Sequence, residues 1–273
     1  MRHTVPSIPQ FYVTAPQGCP YLSDREERKI FTSIQGDEAQ DLSDCLSKQG
    51  FRRSQNVLYR PSCTRCSACL SVRIHIENSY LSKNQKRMKS KHKHLKRSVR
   101  AAWATEEQFE LFHIYLNARH YDGGMVEMNL YEYAEMIEET PVQTRIVEYR
   151  DPMTDRLVGC SLADIMDDGL SMVYSFYDPS REYAGLGSYM ILDHVDLARN
   201  TGLPYVYLGY WVPTSPKMAY KARFRGLEVY HESAWAPLKD SKLYEPLLWK
   251  DNHHSIPQQV ARIHLPNGQL IIR

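Results

Sequence analysis

The chain has 273 residues, 42% of them hydrophobic, enough for one large domain or two modest ones built on a real core. No apolar run approaches membrane-spanning length, and the N-terminal stretch lacks the apolar centre of a signal peptide. These features exclude a helical membrane protein and lead us to expect a soluble, cytoplasmic one. The formal charge of +2 hides an uneven distribution: residues 83–100 hold nine Lys and Arg and no acid, so the rest of the chain is net acidic.

In chain order, Ser23 to Glu26 reads as a capping box that opens a helix. A second helix is expected over 37–49, stopped by Gly50. Strands follow over 51–60, with Arg52 and Arg53, and over 70–77. Between them Cys63, Cys66 and Cys69 form a C-x2-C-x2-C knuckle, and Cys19 is the best distant fourth thiol. Such spacing lets thiolates converge on zinc or an iron–sulfur centre. Three reduced thiols in a tight turn are the alternative, since disulfides are not expected in the cytoplasm.

The basic run comes next. Its cations, among them Lys86, Arg87, Lys89 and Lys91, suit polyphosphate, and a solvated linker is the competing reading. Thr105 to Gln108 is another capping box. The helix it opens leads to a glycine-broken loop with His120, Asp122 and Gly123, and a shorter helix spans about 130–139. Three meander strands are expected over 144–150, 157–165 and 170–177. Asp164 lies near the end of the second and Tyr174 within the third. Gly185 and Gly187 precede a crossover helix over 188–200, where backbone amides can cradle phosphate. A right-handed crossover makes the strand over 205–210 parallel to the third meander strand.

After that strand, Tyr210 and Trp211 offer flat faces for a base, and Ser215 can cap a helix over 216–225. Lys217 and Lys221 then lie one turn apart, with Tyr220 beside them. A strand over 227–231 closes the unit, and 261–265 with 269–273 reads as a terminal hairpin. The expected organisation is a cysteine-containing region (1–82), a basic segment (83–104), a main domain (105–238) and an extension (239–273).

Three antiparallel strands, helix, parallel strand, helix and strand resemble the C-terminal part of the GNAT acyltransferase fold. That fold's central parallel pair splays apart around the acyl donor. The expected class is α+β: a GNAT-like mixed sheet with flanking helices, preceded by a smaller N-terminal α/β region with the cysteine knuckle. The motifs together resemble the aminoacyl-tRNA–protein transferases of the N-degron pathway, most closely the bacterial leucyl-transferring branch. The matching stretches are Cys19 to Leu22, Gly50 to Ser54, the three-cysteine knuckle, Arg119 to Gly123, Asp164 to Ser171, Val173 with Tyr174, Leu186 to Tyr189 and Gly209 to Phe224. The resemblance covers about 11–238, and 239–273 adds no recognised motif. One departure is Ala184 with Gly185, where such proteins carry a basic or hydroxyl pair, so phosphate contacts there fall to the backbone.

The resemblance implies transfer of an aminoacyl group, leucyl before arginyl, from charged tRNA to proteins beginning with Asp or Glu, marking them for degradation. It implies no ATP and no coenzyme A. Asp164 is then the first choice to hold and deprotonate the acceptor ammonium, with His120 the alternative base. Tyr174 and Tyr210 are candidates for the oxyanion or the terminal adenine. Trp211, Ser215, Lys217, Tyr220, Lys221, Arg52 and Arg53 join the tRNA or acceptor site. Competing readings are an acetyl-coenzyme A-dependent acetyltransferase and a non-enzymatic RNA-binding protein.

Overall fold

The computed structural model describes residues 9–23, 25–121, 123–250 and 254–266. The N-terminal part begins with three two-residue strands, β1 (Tyr12–Val13), β2 (Gln17–Gly18) and β3 (Glu26–Glu27). Then come β4 (Lys29–Ser33), helix α1 (Ala39–Lys48), β5 (Arg52–Ser54) and β6 (Val57–Pro61). Four of these strands form an antiparallel sheet in the order β1-β4-β6-β5. The helix expected from the box at Ser23 is replaced by the β2–β3 ladder and β4. The box is not followed by an apolar stripe of helical period, whereas Ile30 and Thr32 are buried with strand period two. The single strand expected over 51–60 is a hairpin, turned at Gln55 with φ 49°. Gly50 stops α1 as expected, in the left-handed region at φ 82°.

The remaining elements are β7 (Leu70–His75), α2 (Lys83–His92), β8 (Lys96–Ala101), α3 (Glu106–Arg119), α4 (Leu130–Glu138), β9 (Thr144–Arg150), β10 (Leu157–Ile165), β11 (Gly169–Tyr177), α5 (Leu186–Asn200), β12 (Tyr205–Trp211), β13 (Leu227–His231), β14 (Ala234–Pro237) and α6 (Ile256–Val260). Eight strands make one mixed sheet in the order β14-β13-β7-β12-β11-β10-β9-β8. The meander β9-β10-β11, the crossover through α5 and the parallel β11–β12 pair are those of the GNAT-like class. Strand β7 comes from the N-terminal stretch yet sits inside this sheet between β12 and β13, so residue 82 is not an edge of the sheet. Ile74, Val206, Val229, Leu192 and Val195 fill the core on the α5 side, and Phe112, Tyr133, Leu162 and Phe176 that under α3 and α4.

The basic run is folded. Ser82 and Gln85 close a capping box that starts α2, and α2 lies against α5, with Lys89 bonded to Asp196 and Met88 beside Gly185. The run continues as edge strand β8, where Arg97 pairs with Asp193 at 2.8 Å and Arg100 with Glu148 at 3.2 Å. Charges on an edge strand discourage pairing with another chain. Of the hairpin expected at the C-terminus, 267–273 lie outside the described residues, and 261–265 follows α6 without forming a regular strand; its Ile263 and Leu265 are buried against the core of the small sheet.

Helix α1 docks on the β10–β11 turn. Asp44 accepts from the Asp167 amide at 3.1 Å and from the Gln40 side chain at 2.8 Å. Burial pushes the Asp44 carboxyl up to about 6. With the folded value above the unfolded one, stability falls as the pH rises from about 4 to about 6; the cost is full above about 6 and absent below about 4. Asp44→Asn should therefore raise stability at pH 8 by about 1 kcal/mol and change nothing at pH 4. Urea midpoints at the two pH values check this; an equal shift at both would contradict it.

Candidate active site

Strands β11 and β12 are paired only from Gly169 opposite Tyr205 to Ser171 opposite Tyr207. Beyond that point β11 stays with β10 and β12 stays with β7, so the two splay apart. A splay leaves backbone carbonyls on both free edges without a ladder partner, and buried carbonyls need one. Two cations supply it. Arg52 of β5 donates through Nη2 to the Val173 carbonyl on the β11 edge. Lys221, from the short 3-10 turn Ala219–Arg223, donates through Nζ to the Leu208 and Tyr210 carbonyls of β12 at 2.8 and 2.6 Å.

Gly209 lies between those two carbonyls, with φ 72°, and a Cβ there would overlap the Arg52 guanidinium. Only glycine accommodates both the conformation and that close approach. Neither Arg52 nor Lys221 makes an ion pair among the described residues. Lys221 is 7% exposed; burial first, and the Arg52 charge second, pull its ammonium down to about 7.

Tyrosines surround the gap. Tyr174 is pushed up to about 12 by burial, against the pull of Arg52. Tyr220 is raised by burial, with Tyr177 adding to it and Arg52 opposing. Tyr115 of α3 stacks near Tyr177, centroids 5.0 Å apart, and its hydroxyl is 3.4 Å from His120 Nε2. His120 caps the C-terminus of α3, its amide bonded to the Leu116 carbonyl. The N-terminus of α5 closes the gap's other side. Gly185 caps it at φ 92°, and a Cβ on Gly187 would lie 2.6 Å from the Tyr177 ring. From there α2 carries its charge outward: Lys91 Nζ and His92 Nε2 both reach the Ala184 carbonyl at 3.2 Å, and Lys86 and Arg87 are exposed.

The description "Arginine-tRNA-protein transferase, N terminus" matches residues 17–87, and its C-terminal counterpart matches 107–231. The chain belongs to the arginine-tRNA-protein transferase family. It is 55% identical to a protein of Ruegeria pomeroyi named aspartate/glutamate leucyltransferase, over 98% of each chain. A protein of the same name from Paracoccus denitrificans is 54% identical, over 98% of this chain and 100% of that one. Among solved structures FemX aligns only weakly, with TM-score 0.46 and 9% identity over 81% of this chain and 74% of that one.

In this transferase Arg52, Tyr174, Gly185, Gly187, Tyr220, Lys221 and His120 lie around the gap, with Arg52 and Lys221 meeting the strand edges rather than an outer surface. Other expected site residues lie elsewhere. Asp164 is buried in an ion pair: Arg53 Nε and Nη2 donate to its two oxygens at 2.6 Å each, and Thr144 donates at 2.7 Å. That carboxylate and Arg53 hold the small sheet to the large one, and neither opens on the gap. Tyr210 is buried, its hydroxyl shared between the Tyr59 and Gly50 carbonyls at 2.9 and 3.1 Å, so it is not available to an oxyanion. Trp211 is buried at 1% exposure, in the core rather than on a stacking surface.

Ser215 is buried as well and begins no α-helix. Pro213 and Pro216 remove two amide donors, and the chain turns tightly into the 3-10 turn that brings Lys221 back to β12. Lys217 is exposed and does not share a face with buried Lys221. Lys89 is engaged by Asp196. Sequence reasoning missed Tyr115 and Tyr177. It also missed that adjacent Arg52 and Arg53 must diverge, which the period of a strand already implies.

Cys63, Cys66 and Cys69 line one cavity with Arg60, Tyr210 and Tyr230. Burial pushes the Cys63 and Cys69 thiols up, and Cys19 is close enough to add to both. Among the described residues no group of three or more His, Cys, Asp or Glu is arranged to hold a metal. The centre expected at Cys19, Cys63, Cys66 and Cys69 is therefore not supported. Among the described residues no helix is long and apolar enough to cross a membrane.

Proposed function

We propose that this chain transfers a leucyl group from charged tRNA to the α-amino group of proteins whose first residue is Asp or Glu, creating an N-terminus read by the degradation machinery. The observation that carries this reading is identity of 54–55%, across nearly the whole chain, to proteins named for those acceptors and that residue. The site chemistry agrees. An arginine held in a gap without an acid partner among the described residues is suited to a carboxylate, so Arg52 is the anchor for the acceptor's first side chain. The aminoacyl ester is already activated, so neither ATP nor coenzyme A enters the reaction. An extended pantetheine-like arm would also find the Val173, Leu208 and Tyr210 carbonyls already taken. Backbone amides at Gly185 and Gly187, at the head of α5, are suited to a tRNA 3′ phosphate.

The family description names arginine, which keeps arginyl transfer as the second reading. Labelled Leu-tRNA and Arg-tRNA, each offered with peptides beginning Asp, Glu, Lys or Ala, separate the two. Leucine should appear on the Asp and Glu peptides only. Equal labelling of all four, or arginine in place of leucine, would reject this function.

Exposed Lys86 and Arg87 point to α2 as part of the tRNA path. Changing both to Gln should weaken tRNA binding and reduce the slope of log K against log salt by about 1.5. Transfer at saturating tRNA should stay near normal. An unchanged salt slope would remove α2 from the path.

A further inference from the structure

An acceptor amine with an ordinary pKa of about 7.7–8.0 arrives largely as an ammonium and cannot attack until it loses a proton. Asp164, the carboxylate first expected to take that proton, is spent on Arg53 and Thr144. The gap holds another nitrogen. Lys221 Nζ reaches two carbonyls of the β12 edge, Leu208 at 2.8 Å and Tyr210 at 2.6 Å. A neutral amine has two N–H groups and one lone pair, and these two carbonyls take both hydrogens. A charged ammonium would carry a third N–H with no acceptor among the described residues, in a buried place beside the Arg52 guanidinium. The arrangement therefore favours the neutral amine, its lone pair left over. The bend at Gly209 puts that amine and the guanidinium against the same stretch of strand.

We propose that Lys221 is the general base of the transfer, taking the proton from the acceptor's α-ammonium while Arg52 holds the acceptor's side-chain carboxylate. This rests on the function proposed above. One N–H bond of the ammonium breaks and its proton moves to Nζ. The freed electron pair attacks the ester carbonyl carbon, forming the C–N bond. Collapse of the tetrahedral adduct breaks the bond between that carbon and the ribose oxygen. The oxygen leaves with a second proton from the attacking nitrogen, handed over directly or through Nζ. One hydrogen remains on the new amide, and the net proton goes to solvent. Charge and atoms balance with no further reactant.

The groups facing Lys221 are few. Arg52 of β5 is the charged group that bears on it. Tyr210 supplies a carbonyl from β12, and its phenol points to Gly50 and Tyr59. Tyr220 precedes it in the chain, and Tyr174 lies across the gap; both phenols are raised by burial and stay neutral. No ion pair to Lys221 occurs among the described residues, so nothing anionic restores its charge.

The test is single-turnover leucyl transfer to an Asp-initiated peptide, at saturating tRNA and peptide, across pH 5.5–9. The wild-type rate should rise with pH and level off above about 7. Lys221→Arg keeps a donor to both carbonyls but yields no proton-accepting lone pair. It should lower the plateau by about 10²–10⁴-fold with tRNA affinity unchanged. Lys221→Gln, smaller and neutral, should do the same, which guards against a folding defect peculiar to arginine. Arg52→Met should move the acid limb to higher pH, because it removes the neighbouring cation; a merely structural lysine would leave that limb in place. Wild-type transfer with unchanged rate and profile in both Lys221 variants would overturn Lys221 as base and return the role to His120. No leucyl transfer by the wild type would instead overturn the function, and Lys221's role with it.

Discussion

Asp164→Ala is expected to cost the protein about 3–5 kcal/mol of stability, because it strands the Arg53 guanidinium without a counter-charge. The Arg53 and Asp164 side chains are 2% and 4% exposed, joined by two parallel bonds of 2.6 Å. Thr144 completes the carboxylate's partners. A domain of this kind has only about 5–15 kcal/mol to lose, so much of it would be unfolded on mild heating. Urea unfolding gives the number. The double variant Arg53→Met/Asp164→Leu should recover most of the loss, since neither charge is then left alone. A wild-type unfolding midpoint in Asp164→Ala, combined with lost transfer, would mean that the carboxylate serves chemistry after all.

Arg52→Met should lower kcat/KM for an Asp-initiated peptide by about 10²–10³-fold, the usual consequence of truncating one member of a desolvated charge pair. The preference for Asp over an Asn-initiated peptide should fall with it, while tRNA affinity holds. Arg52→Lys should rescue little, because a point charge cannot reproduce the planar fork that reaches both the Val173 carbonyl and a bound carboxylate. Gly209→Ala should resemble Arg52→Met while leaving the arginine itself unsubstituted. Its Cβ overlaps the guanidinium, and its φ of 72° disfavours any side chain. Competition between Asp and Asn peptides for one pool of Leu-tRNA measures the preference directly. If Arg52→Met still prefers Asp, the acceptor carboxylate is read elsewhere.

Much of the fold follows from local patterns. The meander β9-β10-β11, the crossover α5, parallel β12 and the capping box of α3 depend on turn residues, strand period and N-caps. The box at Ser23 failed because capping chemistry without an apolar stripe does not make a helix. The helix expected after Ser215 failed because a distant demand, two unpaired carbonyls on β12, captures Lys221 and tightens the turn.

By itself the sequence determined the family resemblance, the order of elements from β9 to β12 and the concentration of positive charge ahead of the main sheet, since these reside in neighbouring residues. Only the tertiary structure decided which of the charged residues meet. Arg52 and Arg53 are adjacent, yet one enters the β11–β12 gap and the other pairs with Asp164, 111 positions away. Lys217 and Lys221 are four apart, yet one is in water and the other in the gap. Burial and counter-charge depend on distances through space, and a chain of letters records distances only along itself.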